Sequence, residues 1–306
     1  MRNAFADTLL EIGRQDSRLV VLVGDISHGI LQPFARACPG RYFNVGILEP
    51  TIVSMSAGLA RSGLHPVAHT IAPFIIERSV EQIKLDFCYQ NIGGTIVSVG
   101  SAFDYAGLGC SHHCYTDLGI VKAIPGTQVI YPAMPNEFNL LFKETYRNGN
   151  LTYFRLPGEK HGVHILDDEI KLGTGIRVRE GKDITVLALG PQLKVAVNAA
   201  DTLAGKGIST DVLYYPTVKP FDSKTLIGSV EKTRRMIVIE EHSQFGGVNE
   251  DVLRVTCNLG GIKHAFINIP DAFCRGYGSY GEHCAELGFT SRNVTRIAES
   301  MITRTG

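Results

Sequence analysis

Short continuous apolar runs alternate with amphipathic stretches along the first half of the chain, and that alternation sets the expected fold. Leu19-Val20-Val21-Leu22-Val23, His65 to Thr70, Gly94 to Val99, Gln128 to Tyr131 and Leu151 to Arg155 read as strands. Runs that stay apolar at every position are typical of strands buried on both faces of a parallel sheet. Between them the period lengthens to that of a helix. Phe5, Leu9, Leu10 and Ile12 share one face within 3–15, and Ile52, Met55, Leu59 and Ala60 do so after Pro50. A further helix is expected from Pro73 onward, carrying Phe74, Ile75, Arg78, Val80, Ile83 and Phe87, and another over 136–147. Strands alternating with helices predict a parallel sheet covered on both sides.

A polar, glycine-rich segment then interrupts the pattern, which restarts with strands over 184–189, 209–214, 236–240 and 264–269. Helices are expected over 192–204 and 226–233, from near Gly247, and over 291–301. The fold class is therefore α/β with two doubly wound domains, 1–165 and 183–306, joined by a linker at 166–182.

Several polar residues fall at strand ends or in loops of the first domain: Asp25, His28, Glu49, His69, Arg155, and His112 within the Gly-, His- and Cys-rich loop 100–116. Open α/β sheets bind ligands at such positions. None is specific alone, because a lone histidine is more often an ordinary hydrogen-bonded residue and a helical Phe74 more often core. Glu49 has the most informative setting. It follows Phe43-Asn44-Val45-Gly46-Ile47-Leu48 and precedes Pro50, which suits the first position of a helix. The positive helix end favours a carboxylate there, whereas desolvation opposes it and tends to raise its pKa. On spacing alone it reads either as a helix-capping glutamate or as a proton-handling group.

Composition narrows the picture. With 306 residues, 44% of them hydrophobic and 20% charged, the chain has the make-up of a folded α/β protein rather than a disordered one. Thirty basic and thirty acidic residues cancel, so nothing points to nucleic acid or a membrane surface. No apolar run is long enough to span a bilayer and no signal peptide stands at Met1-Arg2-Asn3, so a cytoplasmic location is expected. Seven scattered cysteines suit reduced thiols. Cys110-Ser111-His112-His113-Cys114 has zinc-ligand residue types but no second pair at a matching spacing, so no metal is expected on this chain. Phe245-Gly246-Gly247 before a helix could bind an anion. It lacks both the Lys-Ser/Thr of a P-loop and the three-glycine dinucleotide fingerprint, and packing is the role expected of it.

Taken together, these segments resemble the C-terminal portion of transketolases and the related 1-deoxyxylulose-5-phosphate synthases, over nearly the whole chain. Val23-Gly24-Asp25-Ile26-Ser27 looks like the family's strand-end acidic segment. Arg41 to Glu49, with Ala57-Gly58-Leu59-Ala60 behind it, is similar to the catalytic-glutamate motif. Glu81 to Asp86 with Tyr89-Gln90-Asn91 follows the synthase-like version of the next helix. His112, ahead of Ile124-Pro125-Gly126, falls where the family's active-site histidine stands. Val218 to Asp222, and Val238 to Ser243 with Gly246-Gly247, look like the family's C-terminal domain.

The resemblance implies a pyrimidine-binding domain followed by a transketolase C-terminal domain, with thiamine diphosphate as cofactor. Glu49 would hydrogen-bond N1′ of the aminopyrimidine and favour the imino tautomer that takes the proton from C2 of the thiazolium. Phe74 would stack on the pyrimidine, unless Ile75 occupies that register, and Asp25 and Arg78 are further cofactor-side candidates. His112 would bond substrate oxygens and Arg155 the phosphate or other anionic end of the sugar, while His28 and His69 would line the pocket.

Family members also carry an N-terminal domain whose Gly-Asp-Gly and Asn-Asn signature holds magnesium and the diphosphate. No such signature occurs in these 306 residues. The expectation is the small subunit of a split transketolase, active only with a large subunit that supplies the diphosphate site and Mg2+ or Ca2+, in an α2β2 assembly. The family's histidine loop reads Gly-x-Asp-Gly-Pro-Thr-His, whereas here it is Gly107-Leu108-Gly109-Cys110-Ser111-His112, with no acid. That departure points away from ordinary pentose phosphates and toward a modified or branched ketose. The competing expectations are the β subunit of a 2-oxo-acid dehydrogenase, a deoxyxylulose-phosphate-synthase-like enzyme, and a non-catalytic regulatory subunit.

Overall fold

The computed structural model describes residues 1–303. The first domain comprises α1 (Arg2–Gln15), β1 (Leu19–Val23), α2 (His28–Ala37), β2 (Tyr42–Asn44), α3 (Glu49–Arg61) and β3 (His65–Ile71). It continues with α4 (Val80–Gln82), set between π-helical segments Pro73–Glu77 and Ile83–Cys88, then β4 (Gly94–Val99), α5 (Asp117–Ala123), β5 (Thr127–Ile130), α6 (Pro135–Thr145) and β6 (Leu151–Leu156). These six strands form a parallel sheet in the order β5-β6-β4-β3-β1-β2. β1, β4 and β6 are buried at every position, which is why their sequences do not alternate.

The second domain holds β7 (Ile176–Arg179), β8 (Ile184–Ala188), α7 (Leu193–Ala204), β9 (Thr210–Tyr214), β10 (Thr217–Lys219) and α8 (Ser223–Thr233). β11 (Arg235–Ser243), α9 (Val248–Thr256), β12 (Lys263–Ile269), α10 (Tyr280–Glu286) and α11 (Ser291–Thr303) complete it. Its sheet runs β12-β11-β8-β9-β7 and is parallel except at the β7 edge. The two doubly wound α/β domains expected from the pattern are both present.

Three features depart from the expected pattern. The linker segment contains β7, whose single buried residue leaves no period to read. β10 leaves its own domain and pairs antiparallel with β5, closing the edge of the first sheet. The helix expected from Pro73 is two π-helical segments flanking one short α-turn. Each π-turn takes in one residue more than an α-turn and so shifts the side-chain register.

The two domains share their packing. One apolar cluster runs from Phe5 and Leu9 through Phe138 and Phe154 to Ile184, Leu193 and Ile237. Polar ties reinforce the seam. Lys219 Nζ donates to the carbonyls of Lys122 and Ile124 at 3.0 and 2.7 Å, and Lys122 Nζ pairs with Asp251 Oδ2 at 2.5 Å.

Candidate active site

The sequence candidates gather along the C-terminal ends of the first sheet's strands, the side on which α/β sheets place ligands. Glu49 opens α3 and is 1% exposed, although the residues leading to it, Ile47 and Leu48, are exposed. Arg78 Nη1 donates to Glu49 Oε2 at 2.7 Å, and the other carboxylate oxygen, Oε1, is buried with no partner. No backbone amide of α3 donates to this side chain, so it does not cap its helix. The Arg78 guanidinium lies 4.7 Å from the centre of the Phe74 ring, a cation–π contact between residues one helical turn apart. Phe74 in turn meets His112 edge-on at 5.2 Å. Glu49, Arg78, Phe74 and His112, drawn from three separate segments, therefore form one continuous row.

The π-helical register explains which stacking candidate reaches that row. Phe74 is half-buried with its ring covered by Arg78, whereas Ile75 is fully buried among the core side chains of the domain. Ile75 thus drops out as a stacking residue, because its side chain is used for packing. The same segment anchors the histidine loop. Glu77 Oε1 accepts the Thr116 hydroxyl at 2.6 Å, and Ser111 Oγ lies 3.0 Å from His112 Nδ1. Gly109, with φ of +76°, lies under the Tyr277 ring, and a Cβ there would stand 2.9 Å from it. The positive φ favours glycine, whereas the exposed Tyr277 ring can swing aside; the contact is not visible in the sequence.

At the end of β1, Asp25 is exposed and exchanges bonds with Asn44, whose Nδ2 donates to Asp25 Oδ1 at 3.2 Å. His28, also exposed, has Nδ1 3.2 Å from the Tyr42 hydroxyl. His69 lies deeper, at 0% exposure, with Nδ1 2.8 Å from the Val97 carbonyl and Nε2 2.8 Å from Ser27 Oγ. A carbonyl only accepts, so Nδ1 carries the proton and Nε2 accepts from Ser27. Burial pushes the His69 pKa down to about 4, which leaves the ring neutral. Arg2 Nη2 donates to Ser27 Oγ at 3.0 Å, so Arg2 and Ser27 connect His69 to the surface. Arg2 had no sequence signal, and Ser27 had only its place in the strand-end segment 23–27.

Arg155 departs most from its expected place. It is 0% exposed, and its guanidinium is enclosed by Asp117, Tyr131 and backbone carbonyls of both domains. In this chain the guanidinium faces the domain seam, with Nε and Nη1 making no hydrogen bond. The Gly246-Gly247 turn has the packing role expected of it. The Glu240 carboxylate accepts from Val248 N and Asn249 N at 2.7 and 3.0 Å, filling the start of α9. Among the described residues no three His, Cys, Asp or Glu side chains are grouped to hold a metal, and no helix is long and apolar enough to cross a membrane.

Comparison with known proteins places both domains in one family. The family model of the transketolase pyrimidine-binding domain matches residues 1–161, and that of the transketolase C-terminal domain matches 173–299. An apulose-4-phosphate transketolase subunit of Phocaeicola vulgatus is 32% identical over 300 residues, covering 97% of this chain and 96% of that one. A 1-deoxy-D-xylulose-5-phosphate synthase of Heliobacterium modesticaldum is 33% identical over 97% of this chain, which spans only 46% of that longer protein. A solved structure described as a split-gene transketolase, inactive beta4 tetramer, superposes with a TM-score of 0.89 at 30% identity, covering 99% of this chain and 98% of that one. Matched in both domains and along nearly its entire length, the chain belongs to the transketolase family.

Proposed function

We propose that this chain is the small subunit of a split transketolase. It would transfer a two-carbon ketol unit from an anionic ketose to an aldose, with thiamine diphosphate shared between it and a large subunit. The observation that carries the reading is the buried Glu49 carboxylate with its unpartnered Oε1, heading a row that ends at Phe74 and His112.

The residues present fit the aminopyrimidine half of the cofactor. Oε1 is a desolvated acceptor waiting for a donor, which N1′ of the ring provides when protonated, and Phe74, with Arg78 over one face of its ring, lies further along the same row. When bound, thiamine diphosphate supplies the carbon nucleophile that breaks and remakes a bond next to a carbonyl. Glu49 holds or moves a proton at Oε1, while Arg78 steadies it through Oε2. His112 is placed to bond substrate oxygens, and Asp25 and His28 stand on the exposed rim of the same sheet edge. His69 acts only through Ser27.

The large subunit would bring the diphosphate site and its Mg2+ or Ca2+, in an α2β2 assembly. The surface supports a partner there: Ile47, Leu48, Met55, Leu85 and Tyr89 expose apolar area around the helix that Glu49 opens. All seven cysteines are free thiols, which supports a reducing, cytoplasmic setting. The acid-free loop before His112 supports a modified or branched ketose, and the likeness to an apulose-4-phosphate transketolase subunit supports a phosphorylated one.

Assaying the chain alone and with a large subunit, against ketose phosphates and against pyruvate, tests the reading. Ketol transfer should appear only in the mixture. Robust transfer by the chain alone would refute the split, and pyruvate consumption would favour the synthase-like alternative that the Heliobacterium relative suggests.

A further inference from the structure

Arg155 heads the fully buried side chains by volume and sits at the end of β6, between the loop after His112 and the tail of β11. Its Nη2 donates to two carbonyls at once, Cys114 O at 3.1 Å from the first domain and Glu241 O at 3.0 Å from the second. Nε lies 3.4 Å from Asp117 Oδ2, and the guanidinium lies 4.6 Å from the centre of the Tyr131 ring. Adjacent bonds tie the same two segments. Ser243 N donates to Tyr115 O at 2.7 Å, and Gly119 N donates to His242 Nε2 at 3.0 Å. The Glu241 carboxylate is itself held by Gln192 Nε2 at 2.7 Å and the Tyr280 hydroxyl at 2.5 Å. The tail of β11 is therefore a fixed rail, and residues 114–119 are fastened to it immediately after His112.

We propose that Arg155 is a positioning residue, which bridges Cys114 and Glu241 so that the C-terminal domain sets where His112 stands. Both bonds leave one nitrogen, Nη2, whose two N–H groups are fixed in the guanidinium plane, whereas a lysine ammonium is a rotating point donor on a different stem. Displacing a substrate-binding group by about 1 Å can cost about a hundredfold in rate. This inference rests on the proposed role of His112 at the substrate.

Arg155→Lys keeps the charge but loses the fixed, planar placement of the bridging nitrogen, and it can be read in two ways. In the chain alone, amide hydrogen exchange over residues 102–116 should rise, a readout independent of any activity. In the complex with the large subunit, kcat should fall about ten- to a hundredfold while KM for the anionic ketose stays within about twofold. The variant combined with His112→Ala should be no slower than His112→Ala alone, as expected for residues acting as one unit. A KM that rises for the anionic ketose, with normal kinetics on an uncharged one, overturns the proposal in favour of direct anion contact. Should the wild-type complex transfer nothing, the functional reading fails, and unchanged exchange over 102–116 would still overturn the positioning role. If Arg155→Lys does not fold, Asp117→Asn, which weakens the hold on Nε, carries the same readouts.

Discussion

Glu49→Gln separates a structural carboxylate from a functional one, and the structure sets the size of each effect. Two terms favour the charged side chain in the fold. The ion pair with Arg78, whose side chain is 48% exposed, contributes about 0–1 kcal/mol, and the start of a helix favours a carboxylate by about 0.3–1 kcal/mol. A capping bond would add about 1 kcal/mol, but Glu49 makes none. Against these stands Oε1, buried without a partner, a desolvation cost of about 1–3 kcal/mol. The terms nearly cancel, so the substitution should change stability by no more than about 1 kcal/mol. At about 2.1 cal/mol/K per residue, that is a Tm shift of about 2 °C for a chain of this length. Ketol transfer by the complex with the large subunit should instead fall by at least about a hundredfold, since an amide cannot hold or release the proton. Calorimetry of the chain, paired with a coupled assay of the complex, measures both. A Tm loss above about 5 °C, with turnover retained by the folded fraction, would show that Glu49 serves α3 rather than chemistry.

Two further outcomes follow from the same geometry. His69 titrates near 4 when folded, against about 6.5 when unfolded, so the unfolded chain binds its proton first. Its contribution, about 3 kcal/mol, is present above pH 6.5 and is lost as pH falls toward 4; thermal melts should show a steeper acid decline for wild type than for His69→Gln, and parallel declines would refute this. Gly119→Ala would place a Cβ 3.0 Å from both Gly246 O and His242 Cε1 at the domain seam. Crowding there costs about 1–3 kcal/mol, partly offset by about 1 kcal/mol of helix propensity, so Tm should drop by about 2 °C, and a rise would mean that the seam has room.

What the sequence disclosed depends on whether a residue's neighbours lie close to it along the chain. β1 and β4 were legible because burial on both faces leaves only apolar letters, and Glu49 because Pro50 and the apolar face behind it mark a helix start. β7 and β10 were not, because edge strands of four and three residues impose no period. The choice between Phe74 and Ile75 stayed open for a different reason. A π-turn changes the register by one residue, and no composition rule marks it. Arg155 shows the sharper limit. An arginine at the end of a buried strand has the same sequence context whether it faces a cleft or a second domain. What decides is β11, whose His242 binds the amide of Gly119 across a separation of 123 residues. Docking of the second domain thus converts a candidate substrate ligand into a brace for the loop that carries His112. The same docking explains why the loop tolerates an acid-free sequence without losing its place: Arg155, Ser243 and Glu77 hold its C-terminal flank, Cys114 to Thr116, through bonds that involve none of residues 107–112. Within 107–111, Gly109 and Ser111 bond His112 directly, so substrate preference can change without moving His112 only at the other positions.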